Sequence, residues 1–499
     1  MAVVAGLLLQ PATTAVLLGA AVVLFGLYLL SSTFRLRKEP PGPRPLPLIG
    51  NLLQLDLHRP YQSLYELSKK YGSVFTVHFG GRKVIVLAGY KAVKEALVHH
   101  AIEFGDRDIS PVLRDLYNGH GIMFANGDSW KEMRRFTLAN LHDFGMGKRK
   151  IGEKIIEEVQ YLTEVFERHG GEPFDTKLPL VYSVANVTSS VLYGRRFDYT
   201  DPLFQEMVCR SPRNTKIWYP IIQIYNWCPR LARWLKSWGA VVENVERNKE
   251  RVRRLVRDQR DTLCAQERRG FVDSFLIRQR EESDWQKTFF HEENLVTSVI
   301  NLFAAGTDTT ATTLHWALLL MAKYPHVQER VQEELSQVIG SRQPREEDRK
   351  ALTYTNAVIH EIQRVANVDP ISIPHAASCD VTFRGFSIRK GTRVIPLLMS
   401  VLLDESQWES PHSFNPDHFL DHQGRFVRRD AFMPFSAGRR ACLGEGLART
   451  ELFLIFTSLL QNFSFAPPPG VSEAELDLTP VGGDMLSPAP HKLCAVSRA

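Results

Sequence analysis

Cys442 stands in the run Phe435-Ser436-Ala437-Gly438-Arg439-Arg440-Ala441-Cys442-Leu443-Gly444, a glycine-punctuated loop directly ahead of the amphipathic stretch Glu445 to Phe463. This arrangement suits a thiolate bound to haem iron. Metal-bound sulfur has lost its proton, and the free N–H groups of a helix N-terminus favour the negative charge that results. Gly438 permits the tight turn, and Gly444, lacking a Cβ, lets backbone approach a flat macrocycle closely. Arg440 is placed to reach a haem propionate, and Phe435 to shield the sulfur from water, which tunes the redox potential. The plain alternative is a buried structural cysteine in a turn.

A second stretch, Ala304-Ala305-Gly306-Thr307-Asp308-Thr309-Thr310, sets a glycine, an acid and an alcohol in the middle of a long apolar segment. Helix propensity favours none of the three there, and a local rule broken inside a consistent element often marks function. Gly306 is expected to loosen the helix, and Thr309 either to bond back to the Ala305 carbonyl or to turn toward a ligand. Cleaving dioxygen at iron consumes two protons, so a carboxylate feeding a hydroxyl, Asp308 to Thr309, is a candidate relay. The alternative is a polar pair bonded to its own helix backbone.

Two further pairs have helical spacing. Glu361-Ile362-Gln363-Arg364 puts opposite charges at i and i+3, where side chains meet. Trp130 and Arg134 put an indole N–H and a guanidinium one turn apart, suited to hydrogen-bonding one propionate.

The order and spacing of these motifs resemble those of the cytochrome P450 superfamily, the haem-thiolate monooxygenases. The resemblance runs from Pro40 to the end of the chain and is strongest to the vertebrate microsomal family 2 enzymes. It implies haem b as cofactor, Cys442 as axial ligand, and Glu361 and Arg364 as a buried ion pair beneath the haem. His418, in Phe414-Asn415-Pro416-Asp417-His418-Phe419, takes the place of the more usual arginine of that network. Arg107 and His375 join Trp130, Arg134 and Arg440 around the propionates. Asp308 and Thr309 match the acid and alcohol of the monooxygenase members, which the peroxide-rearranging members commonly lack. Residues Ile109 to Phe124, Phe303, Ala304, Ala305, Ile371, Ser372 and Ile373 fall in the substrate-contact regions. Since Asn301 is neutral, only Asp308 on that face would recruit a cation, and neutral lipophilic substrates or fatty acids are expected.

The elements that must carry these residues are α-rich with small β-sheets. Helical periodicity marks Tyr61 to Tyr71, Lys91 to His99, Lys148 to His169, Val241 to Gln266, Asn294 to Tyr324 and Val327 to Ile339. Strand-like runs mark Val74 to Phe79, Lys83 to Leu87, Val381 to Phe383 and Arg393 to Pro396. The 499 residues, with 44% hydrophobic and 23% charged content, show no long low-complexity linker, so one large catalytic domain is expected over 52–499. The six cysteines form no CxxC pair, which points to a reducing compartment. Asn186-Val187-Thr188 and Asn462-Phe463-Ser464 fit the glycosylation sequon but are read as structural.

Ahead of that domain, residues 1–34 carry an almost wholly apolar run from Ala12 to Leu30, the length of one membrane-spanning helix. Arg35, Arg37 and Lys38 follow it, which by the positive-inside rule holds the rest of the chain in the cytosol. The expected location is therefore the endoplasmic reticulum membrane, catalytic domain on the cytosolic face. A cleaved signal peptide would want a basic leading region and a small-residue cleavage site. Residues 35–51 form a basic and proline-rich hinge. The aromatic and basic stretch from Trp218 to Trp238 reads either as a second membrane contact or as core.

No dinucleotide-binding GxGxxG setting appears, so NADPH and flavins are expected to act only through a partner reductase. Lys131, Arg134, Arg135, Lys148, Arg149, Lys150, Arg428, Arg429 and Arg439 form a basic face suited to an acidic flavoprotein. The resemblance implies NADPH–cytochrome reductase, with cytochrome b5 as a second donor, and no nucleic-acid partner. The expected activity is insertion of one oxygen atom from O2 into xenobiotics, fatty acids such as arachidonic acid, or steroids. A haem-thiolate isomerase or peroxide lyase, or a non-enzymatic haem sensor, are the rival readings.

Overall fold

The computed structural model describes residues 39–143, 149–208, 225–226, 233, 235–264, 266–282 and 288–498, and singly 15, 19, 23 and 26. Most of the expected anchor from Ala12 to Leu30 and most of the Trp218 to Trp238 stretch lie outside these residues. Among the described residues, no helix is long and apolar enough to cross a membrane.

In chain order the helices are α1 (Pro60–Tyr71), α2 (Tyr90–Lys94, continued by a π-turn Glu95–His99), α3 (Pro111–Tyr117), α4 (Gly127–Asp143), α5 (Arg149–Glu167), α6 (Lys177–Tyr193) and α7 (Pro202–Val208). They continue with α8 (Lys236–Asp261), α9 (Phe271–Glu281), α10 (Glu292–Lys323), α11 (Pro325–Val338), α12 (Thr353–Ala366), α13 (Leu398–Leu402) and α14 (Glu445–Asn462). The strands are β1 (Val74–Phe79), β2 (Arg82–Ala88), β3 (Asp106–Arg107), β4 (His375–Ala376), β5 (Val381–Phe383), β6 (Phe386–Ile388), β7 (Arg393–Leu397), β8 (Phe463–Ala466), β9 (Pro480–Val481), β10 (Ser487–Pro488) and β11 (Cys494–Ser497).

Periodicity located α1, α2, α5, α10, α11, α14, β1, β2, β5 and β7 to within two residues, and gave no bounds for α3, α4, α6, α7, α9, α12 and α13. It misplaced α8, which begins at Lys236 rather than Val241 and stops at Asp261 rather than Gln266. Its mostly charged sequence leaves the apolar stripe too sparse to mark either end.

The helical core is built around α10. His291 caps its start by accepting from the Asn294 N–H, Glu292 and Glu293 face the positive end of the helix dipole, and Pro325 opens the next helix immediately after it. α10 packs on α6, α12 and α14, and its second half from Thr310 to Ala322 is buried on every face. The helix that follows Cys442 is likewise buried all round from Thr450 to Leu460, so the expected amphipathic pattern is wrong. α14 runs through the middle of the core, touching α5, α10, α11 and α12, and has no solvent face to leave polar.

A five-stranded sheet in the order β1-β2-β7-β4-β3 forms the second layer. β2 runs parallel to β7 and the other pairs are antiparallel. The β3–β4 register sets Arg107 directly opposite His375, two residues 268 positions apart in sequence. The proline-rich segment is docked on this sheet: Thr76 of β1 donates its N–H to the Pro41 carbonyl at 2.7 Å, and Asn51 accepts from the His78 N–H at 2.7 Å. Tyr225 and Trp238, two of the aromatics offered to a membrane, stack on each other at 3.8 Å and are buried with Val112 and Val241. For these two, core packing is what the fold provides.

Candidate functional site

Gly438 turns the loop before the cysteine. Its φ is +72°, and a Cβ there would lie 1.8 Å from the Leu97 carbonyl oxygen, so no other residue fits. The turn returns the chain so that Cys442 N–H donates to the Phe435 carbonyl at 3.0 Å, closing the loop. Gly444 is the N-cap of α14, and its backbone N–H points at the Cys442 sulfur. A Cβ at Gly444 would meet only open space, leaving that side of the loop clear for a flat ring.

Cys442 lies deep in the protein, yet its surface is exposed, so it opens on an internal cleft. Burial pushes its thiol up, while the Gly444 N–H and the Arg134 guanidinium pull it down. A thiol so placed ionises readily only beside a cation, which a metal ion supplies.

The middle of α10 shows the same inward exposure. Ala305, Asp308 and Thr309 are exposed, although Thr307 and Thr310 beside them are buried. Of the two conformations open to Thr309, the structure takes the first: its Oγ1 donates to the Ala305 carbonyl at 2.8 Å. The expected loosening at Gly306 does not occur, since α10 is an unbroken α-helix. Gly306 instead backs onto α6, where a Cβ would come within 3.0 Å of Thr188 Oγ1; its small size serves helix packing. One residue after Thr309, the Thr310 hydroxyl stands beside Glu451 of α14, a fully buried carboxyl that burial holds well above the usual range. This places the Thr309 turn of α10 against the helix that starts at the cysteine loop.

A group of cations converges on the loop. Arg440 lies 3.5 Å from the Trp130 ring centroid, and Arg439 and Arg134 lie at 4.9 and 6.0 Å. Arg440 donates to Gly105 and Ala125 carbonyls and to Asn126 Oδ1, so it also clamps the loop to β3 and the segment before α4. Arg134 donates to the Ala441 carbonyl at 2.9 Å, next to the cysteine. Arg107 donates to the Ile373 carbonyl at 2.6 Å, and its Nε is buried without a partner. His375 donates Nδ1–H to the Phe104 carbonyl at 2.7 Å, leaving Nε2 buried and unpartnered.

The electrostatic cost of this cluster is large. Burial, with the neighbouring Arg107, Arg439 and Arg134, brings Arg440 down to about 8. Burial lowers Arg107 to about 10, and burial with Arg107 nearby lowers His375 to about 3. The orphaned Arg107 Nε–H and the crowded cations are matched by a ligand bearing carboxylates, toward which His375 Nε2 would donate once protonated. Haem, with two propionates and an iron needing an axial thiolate, fits the residues present.

The ion pair of α12 is wholly buried. Arg364 Nε and Nη2 each donate to Glu361 at 2.7 Å, and the other three N–H groups go to the Leu402, Pro411 and Ser413 carbonyls. All five guanidinium donors are used. His418 Nδ1 lies 3.2 Å from both Glu361 oxygens, while its Nε2 accepts from the Ser410 N–H. The arrangement ties α12 to the segment that leads into the cysteine loop.

The substrate-contact residues are not all placed alike. Ile109, Phe124, Ala304, Ile371 and Ile373 are part-exposed and Ala305 is exposed, whereas Phe303 is 4% exposed and sits in the core with Ile122 and Ile300. Asn301 does not face a cleft either: its Oδ1 accepts from the Ile122 and Met123 N–H groups, pinning that loop to α10.

The basic face is partly neutralised. Lys131 pairs with Asp128, Arg135 with Glu132 and Arg429 with Glu409, while Arg134 turns inward. Lys148 and the side chains of Arg149 and Lys150 lie outside the described residues. Sequence reasoning missed Glu451 and Asp369, both interior acids; a lone acid inside an apolar run is the signal that could have found them.

An interior cysteine whose surface is open, a helix N–H aimed at its sulfur and a carboxylate-seeking ring of cations define a thiolate-ligated haem enzyme. The cytochrome P450 family profile matches residues 40–495. Cytochrome P450 2K1 of Oncorhynchus mykiss is 61% identical over 98% of this chain and 99% of its own. Cytochrome P450 2K6 of Danio rerio is 53% identical over both full lengths, and cytochrome P450 2W1 of Homo sapiens 45% over 92% and 94%. The chain belongs to the cytochrome P450 family, among its family 2 members, and is a haem-thiolate monooxygenase that uses a redox partner and lipophilic substrates.

Proposed function

We propose that this protein is a microsomal monooxygenase that receives electrons from NADPH through a flavoprotein reductase, with cytochrome b5 as a second donor, and oxygenates lipophilic xenobiotics, fatty acids or steroids. The observation that carries the reading is the inward exposure of Cys442 together with that of Asp308 and Thr309 on a neighbouring helix.

Bound haem iron supplies reductive activation of dioxygen. Cys442 Sγ would hold the metal as thiolate, its charge shared by the Gly444 N–H. Trp130, Arg134, Arg440, Arg107 and, once protonated at Nε2, His375 would hold the propionates, and Phe435 would keep water from the sulfur. Thr309 Oγ1, released from the Ala305 carbonyl, donates a proton toward the cleft, and Asp308 returns one to it. Ile109, Phe124, Ala304, Ala305, Ile371 and Ile373 exclude water and hold an apolar substrate. Glu361, Arg364 and His418 fix the frame that ties α12 to the segment leading into the cysteine loop.

Residues 1–34 act as a transmembrane anchor, 35–51 as a hinge and 52–499 as the catalytic domain at the cytosolic face of the endoplasmic reticulum. The apolar run Ala12 to Leu30 and the basic cluster after it support this.

The test is turnover of the full chain with reductase, NADPH and isotopically labelled dioxygen on steroids, polyunsaturated fatty acids and drug-like probes. Products carrying one labelled oxygen are expected. Haem-replete protein that rearranges peroxides without NADPH would replace this reading with that of an isomerase or lyase.

A further inference from the structure

Between α12 and β4 the chain makes a tightly pinned loop. The Val368 carbonyl accepts from the Leu486 N–H at 2.9 Å, Pro370 from Met399 at 2.9 Å, Ile373 from the Arg107 guanidinium at 2.6 Å and Pro374 from Asp108 at 3.2 Å. Ser372 sits in the left-handed region at φ +55°, a strained conformation for a residue with a Cβ. The loop presents Asp369, an acid between Val368 and Pro370 in an otherwise apolar run.

Asp369 is part-exposed although it lies deep inside the protein, so, like Cys442, it opens on the interior cleft. Its charge is close enough to act on the Cys442 sulfur, which places it near the reacting centre. It shares its loop with Ile371 and Ile373. The Ser372 N–H donates to its carboxylate, and the Arg107 charge nearby favours its ionised form. Arg107 Nη1 is spent on the Ile373 carbonyl. Asp484, on the turn between β9 and β10, adds a second negative charge that Asp369 feels, balanced in part by Arg393.

We infer that Asp369 is a specificity-determining residue that favours lipophilic substrates carrying an amine cation over their neutral and anionic counterparts. A carboxylate on the wall of a low-dielectric cleft attracts a cation far more strongly than it would in water, and repels a fatty-acid carboxylate. Burial raises Asp369 to about 6, so it is ionised at neutral pH. The inference rests on the monooxygenase reading only for the location of the substrate, and it revises the expectation of neutral molecules or fatty acids.

The experiment is calorimetric titration of the haem-loaded full chain with three probes of one tail length. These are an alkyltrimethylammonium ion, which cannot ligate iron, its neutral tert-butyl isostere, and the fatty acid. The wild type is expected to bind cation over isostere over acid, with about tenfold between the first two. Asp369→Asn is expected to erase that gap by weakening the cation alone, the isostere staying within about twofold. Equal affinities in the wild type, or parallel loss of all three probes in Asp369→Asn, would overturn the inference. Should the variant fail to fold, the wild-type ranking alone decides. NADPH-dependent oxygenation of the tert-butyl probe is scored separately: its absence would sink the monooxygenase reading while leaving the charge ranking to stand or fall by itself.

Discussion

Thr309 Oγ1 donates to the Ala305 carbonyl, 2.8 Å away and one turn back along α10, while both residues are exposed to the interior. The hydroxyl is therefore satisfied at rest and has to rotate away from its own backbone before it can serve a ligand. Backbone-bonded serine and threonine hydroxyls exchange such bonds at small cost.

Replacing this hydroxyl by Thr309→Ala removes the proposed proton donor without touching the cysteine loop. Haem content and the carbon monoxide spectrum are expected to stay at wild-type levels, while the fraction of NADPH electrons lost as hydrogen peroxide rises several-fold. Parallel measurement of NADPH consumed, peroxide and product checks this; unchanged coupling would remove Thr309 from the relay.

Glu361 and Arg364 are both fully buried, and each leaves the other's charge unpaired if lost. Glu361→Ala is expected to cost about 3–5 kcal/mol, the usual penalty for breaking a buried pair. The readout is haem incorporation on expression, predicted to fall to near nothing. His418→Gln, which preserves a donor toward Glu361, is expected to retain most of it.

Gly438→Ala faces two obstacles at once: a left-handed backbone and collision with the Leu97 carbonyl. The loss is expected to exceed about 1 kcal/mol, and thermal unfolding should shift down by several degrees with haem retention reduced. An unchanged melting temperature would mean that the turn adjusts.

What the sequence made legible follows from where the chemistry is local. The turn at Gly438, the cysteine and the Glu361–Arg364 spacing are short-range patterns, and each was readable in a few residues. Long-range facts were not. That Arg107 faces His375 depends on β3 pairing with β4 across most of the chain. That Asn301 pins Ile122, or that α14 is buried on every side, depends on which elements surround it. Phe303 looked like its alanine neighbours in sequence, but its size sends it into the core while Ala305 stays at the cleft.

Acid stability reports on the buried histidines. His315 of α10 stacks on His491 at 4.5 Å, and burial together with that neighbour lowers it to about 3. Between pH 6.5 and 3 the unfolded chain takes up a proton that the folded chain refuses. Stability is thus complete above about 6.5 and falls as pH drops through that window. His315→Phe is expected to flatten the slope by up to about 1.4 kcal/mol per pH unit, measured by denaturant unfolding at several pH values. An unaltered slope would show that other groups govern acid unfolding.

Every role proposed for the site depends on Cys442 holding the haem. The most direct measurement is the carbon monoxide difference spectrum of the reduced full chain, wild type beside Cys442→Ser. The wild type is expected to give the red-shifted Soret band of thiolate-ligated haem, and the variant to lose it. The same band in both proteins, or a histidine-type band in the wild type, would contradict the assignment.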